Sequence, residues 1–111
     1  MQKLKYMNKE RQIELFNQAI DACEYIMLNK THDYANIDNV FKAFDQIALM
    51  TETNRNKVLL QFIATKLTRL INLLNTDKDP KNESIKDNLL DLINYCLFLY
   101  ISTFDDNNPR I

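Results

Sequence analysis

The sequence predicts an all-α fold, a single-domain bundle of about four helices occupying residues 1–111. Two observations carry that prediction. Apolar residues recur at helical spacing through four segments. The stretches between those segments are short and polar, which makes sequential helices antiparallel neighbours.

Helix one is expected over about residues 8–29, where Ile13, Leu15, Phe16, Ala19, Ile20, Ala22, Cys23, Ile26 and Met27 fill one half of a helical wheel. Glu14, Asp21 and Glu24 lie on the other half, where solvated charge is the ordinary explanation; they are reserve candidates for ligand contact. The connection NKTHDYANIDN breaks the pattern with turn-forming residues, and Asp38 or Asn36 is placed to cap the next helix. His32 has no second His or Cys nearby in sequence to build a transition-metal site, so no metal is assigned to it.

Helix two, over about 38–50, should bury Val40, Phe41, Ala43, Phe44, Ile47 and Ala48 and leave Lys42, Asp45 and Gln46 outside. Helix three, over about 53–75, begins with Thr53 and Asn54, either of which can accept from the first free amides. Its polar face is Gln61, Thr65, Thr68, Asn72 and Asn75, and no acid occurs from Thr53 to Thr76. Lys66 falls in the middle of the apolar face, between Leu59, Phe62, Leu70 and Leu73, with Arg69 at its border. A lysine among leucines either extends its ammonium to water or meets an anion, because an unpaired buried charge is costly.

The linker TDKDPKN leads to helix four, over about 84–104, with Asn82 or Ser84 as cap and Asp87 three residues after Ser84 in the manner of a capping box. This helix is apolar nearly all round. Glu83, Asp87, Asp91, Asn94 and Phe98 share one arc of roughly 80° at about 100° per residue. Asp and Asn are weaker helix formers than Glu, Lys or Gln, so their presence suggests a site; the alternative is a wet edge on a buried helix. So broad an apolar arc exceeds what three partner helices cover, and at least a dimer is expected.

Composition narrows function. Without glycine, the close backbone cradles of P-loop and dinucleotide-binding folds are excluded, and any phosphate must be held by side chains. Fourteen basic against fifteen acidic residues argue against a binder of long nucleic acid. Cys23 and Cys96 both fall on apolar faces and read as reduced core residues of a cytoplasmic protein. The opening MQKLKYMNKERQ lacks the apolar run of a signal peptide, and Leu89–Phe104 is too short and polar to span a bilayer, so no membrane partner is expected. With helices three and four adjacent, Lys66 and Arg69 can face Asp87 and Asp91. That arrangement is either an internal salt-bridge network or a pocket in which cations hold phosphate and carboxylates hold Mg²⁺.

The order HDYAN at 32–36, KLTRL at 66–70 and ESIKDNLLDLINY at 83–95 resembles small phage-type proteins of the nucleotide-modification-associated domain family. Their pattern is D-Y-x-N, K-x-x-R and D-x-x-x-D-x-x-N-Y. The last segment is also similar to the second metal-binding helix of MazG-like all-α nucleoside triphosphate pyrophosphatases, although the E-x-x-E helix that those enzymes add is missing here. The resemblance implies a nucleotide-handling protein of phage origin acting in the host cytoplasm. It places Tyr34, Asn36, Lys66, Arg69, Asn94 and Tyr95 around the nucleotide, Asp87 and Asp91 on Mg²⁺, and Asp33 as the one candidate base. Readings beside hydrolysis are a binder that sequesters a signalling nucleotide, and a helical interaction module without a ligand.

Overall fold

The computed structural model describes residues 6–33, 39–76 and 82–105, with the side chains of 30–33 and 82–84 outside the description. Within it lie α1 (Lys9–Asp33), α2 (Lys42–Met50), α3 (Arg55–Leu74) and α4 (Asn82–Phe104), and the described residues form no strand. The all-α expectation holds, with shifts at the helix ends that have local causes.

α1 runs on through Asp33 instead of stopping at Asn29, so Asp33 closes a helix where a loop was expected. α2 begins at Lys42, later than expected. Asn39 accepts from the Phe41 amide with its side-chain oxygen at 2.9 Å, and this local turn occupies the residues assigned to the first helical turn. The two capping candidates Asn36 and Asp38 lie outside the described residues. Asn54 is the cap of α3, accepting from the Lys57 amide at 3.0 Å, and Thr53 lies ahead of it. Ser84 falls inside the first turn of α4, not before it, which removes the Ser84–Asp87 capping box as the start of that helix.

With no glycine in the chain, the tight turn from α2 to α3 puts Glu52 in the left-handed region at φ 56°. A residue with a Cβ carries roughly 1 kcal/mol of strain there.

α3 and α4 form the central pair and run antiparallel. Asn56 meets Ser102, Phe62 meets Tyr95 and Lys66 meets Asp91, so numbers fall along α4 as they rise along α3. Val58, Leu59 and Leu70 of α3 and Leu90 of α4 are buried. α2 packs on this pair through Phe41 and Phe44. Their rings join Phe62, Tyr95 and Phe98 in a cluster whose neighbouring centroids lie between 5.3 and 6.5 Å apart, mostly edge to face. Val40 and Ala43 are exposed, contrary to expectation, because α2 turns only the stripe Phe41, Phe44, Ile47 and Ala48 inward.

Asp45 also departs from expectation. It is half-buried and takes two bonds from Arg55, Nε to Oδ1 at 2.7 Å and Nη2 to Oδ2 at 2.8 Å, while the Arg55 guanidinium lies 4.3 Å from the centroid of the Phe41 ring. Asn39 adds a third bond to the same carboxylate at 3.0 Å. These contacts clamp the start of α2 to the start of α3. The guanidinium bonds hold the Asp45 carboxyl below its ordinary range.

α1 packs on α4. Cys23 is 2% exposed, its thiol reaches the Leu90 carbonyl at 3.9 Å, and burial pushes that thiol's pKa up. Cys96 is exposed and so is not the core residue expected. Glu14, Asp21 and Glu24 are exposed as predicted, Glu14 pairing with Arg11 at 2.8 Å.

Candidate functional site

The polar stripe of α4 is a wet edge only in part. α4 is wedged between α3 and α1, and of the stripe Asp91 meets α3 and Asn94 meets α1, while Asp87 stays exposed. Asn88, Asn94 and Ser102 are buried, each with a hydrogen-bond partner. Asn94, 6% exposed, donates from Nδ2 to the Cys23 carbonyl at 3.1 Å and so pins α4 to α1. Ser102 donates to Asn56 Oδ1 at 2.7 Å on the side facing α3. Tyr95 belongs to the ring cluster with Phe44, Phe62 and Phe98. Asn94 and Tyr95 therefore hold the helices in place around the candidate site.

Lys66 extends across the α3–α4 contact rather than past it. Its ammonium lies 3.0 Å from Asp91 Oδ2 and donates, at a longer 3.5 Å, to Asn88 Oδ1. The two charged side chains keep 20% and 23% of their surface, so the pair is mostly withdrawn yet reachable from solvent. Lys66 neither carries its ammonium to open water nor waits for a foreign anion. The anion it meets is on the same chain. Asp87, one helical turn before Asp91, is exposed, as is Arg69, one turn after Lys66.

The site is thus a half-open charge pair with an exposed carboxylate and an exposed guanidinium one turn away on each helix. Both cations come from α3 and both carboxylates from α4. The sequence pairing of Lys66 with Asp91 is realised, while Asp33 is placed only as the last residue of α1, and Tyr34 and Asn36 lie outside the described residues.

Among the described residues no group of three or more His, Cys, Asp and Glu side chains converges. Asp87 and Asp91 offer only hard oxygen donors from adjacent turns. That donor set fits Mg²⁺, which takes one or two protein carboxylates and completes its shell with water and phosphate oxygens. It does not fit a closed, all-protein metal cage.

The family model of nucleotide modification associated domain 1 matches residues 30–102, more than half of the chain's 111 residues. The chain belongs to the nucleotide modification associated domain 1 family. The matched span takes in Lys66, Arg69, Asp87 and Asp91, the ring cluster around Tyr95, and the segment from Asp33 to Asn36, while most of α1 precedes it. No curated protein and no solved structure matches the chain. Within the described residues no helix is long and apolar enough to cross a membrane.

Sequence reading did not find the Arg55–Asp45 clamp. Its two members lie ten positions apart on different helices, and the only signal was an arginine at the start of an acid-free helix.

Proposed function

We propose that this member of the nucleotide modification associated domain 1 family binds a nucleotide at the α3–α4 groove. Lys66 and Arg69 take the phosphate oxygens, and Asp87 and Asp91 hold Mg²⁺. The observation that carries the reading is the half-open Lys66–Asp91 pair. A fully buried pair would have no access to a ligand, and a fully exposed one would have too little field to select one. In the free protein each charge neutralises the other. A phosphate arriving with its cation offers each a stronger partner of the same sign as the one it leaves. Mg²⁺, when bound there, would neutralise phosphate charge and polarise a phosphoryl oxygen.

Binding without chemistry is the preferred form of this reading, with the ligand held or sequestered in the cytoplasm. α3 contributes no carboxylate anywhere along its length, so the E-x-x-E partner that MazG-like pyrophosphatases use has no counterpart there. If hydrolysis occurs, it proceeds as MazG-like pyrophosphate release, and Asp33 is the residue to supply the base. Tyr34 and Asn36 are then the residues that stack on the nucleotide base and bond its edge.

The test is a thermal-shift panel of nucleoside triphosphates and of cyclic and dinucleotide signals, with and without Mg²⁺. A ligand at about a hundred times its Kd stabilises the folded state by about 2.7 kcal/mol. The expected result is a rise in Tm for one nucleotide class that needs Mg²⁺ and is lost in Lys66→Met and in Asp91→Asn, each measured against its own unliganded Tm. A rise that survives both substitutions refutes the site, and no rise with any nucleotide at millimolar concentration refutes the function.

A further inference from the structure

The α3–α4 pair has two sides, and α1 and α2 occupy one of them. Asn94 of α4 reaches α1, and Phe62 of α3 and Tyr95 of α4 meet the α2 ring of Phe44. On the other side α3 carries Leu60, Ala64, Leu67, Ile71 and Leu74, whose spacings alternate between four and three residues. That alternation is the repeat of a helix-packing seam. It is a second apolar stripe, beside the one that faces α4. Because α3 and α4 are antiparallel, a turn of 100° per residue brings Leu89 and Cys96 of α4 to the same side, flush with the α3 stripe. All of these residues are exposed, and the leucines and isoleucine keep between 44% and 65% of their surface.

We infer that a second copy of this chain covers this side, so that two α3 and two α4 helices pack about a two-fold axis as a four-helix interface. Three observations favour a second copy over another partner. A seam of alternating spacing is complementary to itself under two-fold rotation. The exposed rim along α3 is Gln61, Thr68 and Asn75, all uncharged, so a copy meets no repulsion there and a partner selected by charge finds little to read. Among the described residues the cations bordering the face are Lys57, near the start of α3, and Lys86, near the start of α4; with the two α3 helices antiparallel, the two Lys57 side chains sit at opposite ends of a helix about 30 Å long.

Size is also adequate. The exposed parts of these side chains amount to roughly 500 Å² per copy, and the polar rim brings the face toward the roughly 800 Å² per partner of a stable interface. This face is separate from the proposed nucleotide groove, because Lys66 and Asp91 meet between the helices and not on this outer side.

The experiment is light scattering of the full chain at micromolar concentration, repeated on the double variant Leu67→Glu, Ile71→Glu, with circular dichroism to confirm helicity. Both positions are about half exposed, so the fold of one copy tolerates the change. The expected result is twice the 13.2 kDa chain mass for the native protein and a single chain mass for the variant. A second readout is the Cys96 thiol, which should react with a maleimide about tenfold more slowly in the native protein than in the variant, because access limits the rate. A native monomer overturns the inference. So does a dimer that survives the double substitution with Cys96 still freely reactive, since another face would then be the interface.

Discussion

Replacing Asp91 by Asn removes a charge from the α3–α4 contact while keeping its shape, and the structure sets the size of the effect. At 3.0 Å the Lys66–Asp91 attraction is gross about 5 kcal/mol for an effective dielectric of about 20. Desolvation takes back most of it, because both side chains are roughly four-fifths withdrawn from water. Exposed pairs retain about 0.5 kcal/mol, and breaking a buried pair costs about 3 kcal/mol or more. A pair of intermediate burial should lose about 2 kcal/mol when one partner goes. For a domain of this size that is a fall in Tm of about 10 °C. The assay is a double-mutant cycle on Tm and urea midpoint with Lys66→Met, Asp91→Asn and both together. Methionine suits the apolar neighbours of Lys66, so the double variant should recover much of the loss, giving a coupling of about 1.5 kcal/mol. Because the pair is partly shielded, that coupling should persist in half-molar salt, which screens only exposed charges effectively. Additive losses, with coupling below about 0.3 kcal/mol, would show that the ammonium lies in water and that the groove holds no preformed charge pair.

Other contacts lead to three further outcomes. Asp45→Asn should cost about 1 kcal/mol at neutral pH. Because Arg55 holds the Asp45 carboxyl below its ordinary range, the pair's stability is present above that range and lost as pH falls through the depressed value; Tm followed from pH 6 to 2 should bring the native protein and the variant together on the acid side, and a gap that widens there refutes the clamp. Glu52→Gly should raise stability by roughly 0.5 to 1 kcal/mol by relieving the positive φ, seen as a Tm several degrees higher, whereas a lower Tm would mean that the turn carries no such strain. Asn94→Asp places a carboxylate against the Cys23 carbonyl and should destabilise by about 3 kcal/mol at pH 7, with recovery toward pH 4 as the acid is protonated; equal melting at both values would show that this position is solvated.

The local residue pattern established the helical class, the four helices and their order, because apolar periodicity is a property that needs no knowledge of neighbours. It also determined that Lys66 would need an explanation, since one charge in the middle of an apolar face is conspicuous on a wheel. That Asp91 supplies the partner was legible only as one possibility. The pairing depends on the axial register of α3 against α4, and that register is set by ring packing at Phe62 and Tyr95 and by the Asn56–Ser102 bond. The place of Asn94 was hidden for a related reason. On a single wheel it shares an arc with Asp87 and Asp91, but the arc is divided in space between α1 and α3, so Asn94 bonds to α1 while Asp91 pairs with Lys66 of α3. The outward stripe of α3 and the exposure of Cys96 likewise needed tertiary structure. A helix with apolar residues over half its circumference does not say which part its own chain covers, and only the placement of α1 and α2 on one side of the central pair leaves the other side open.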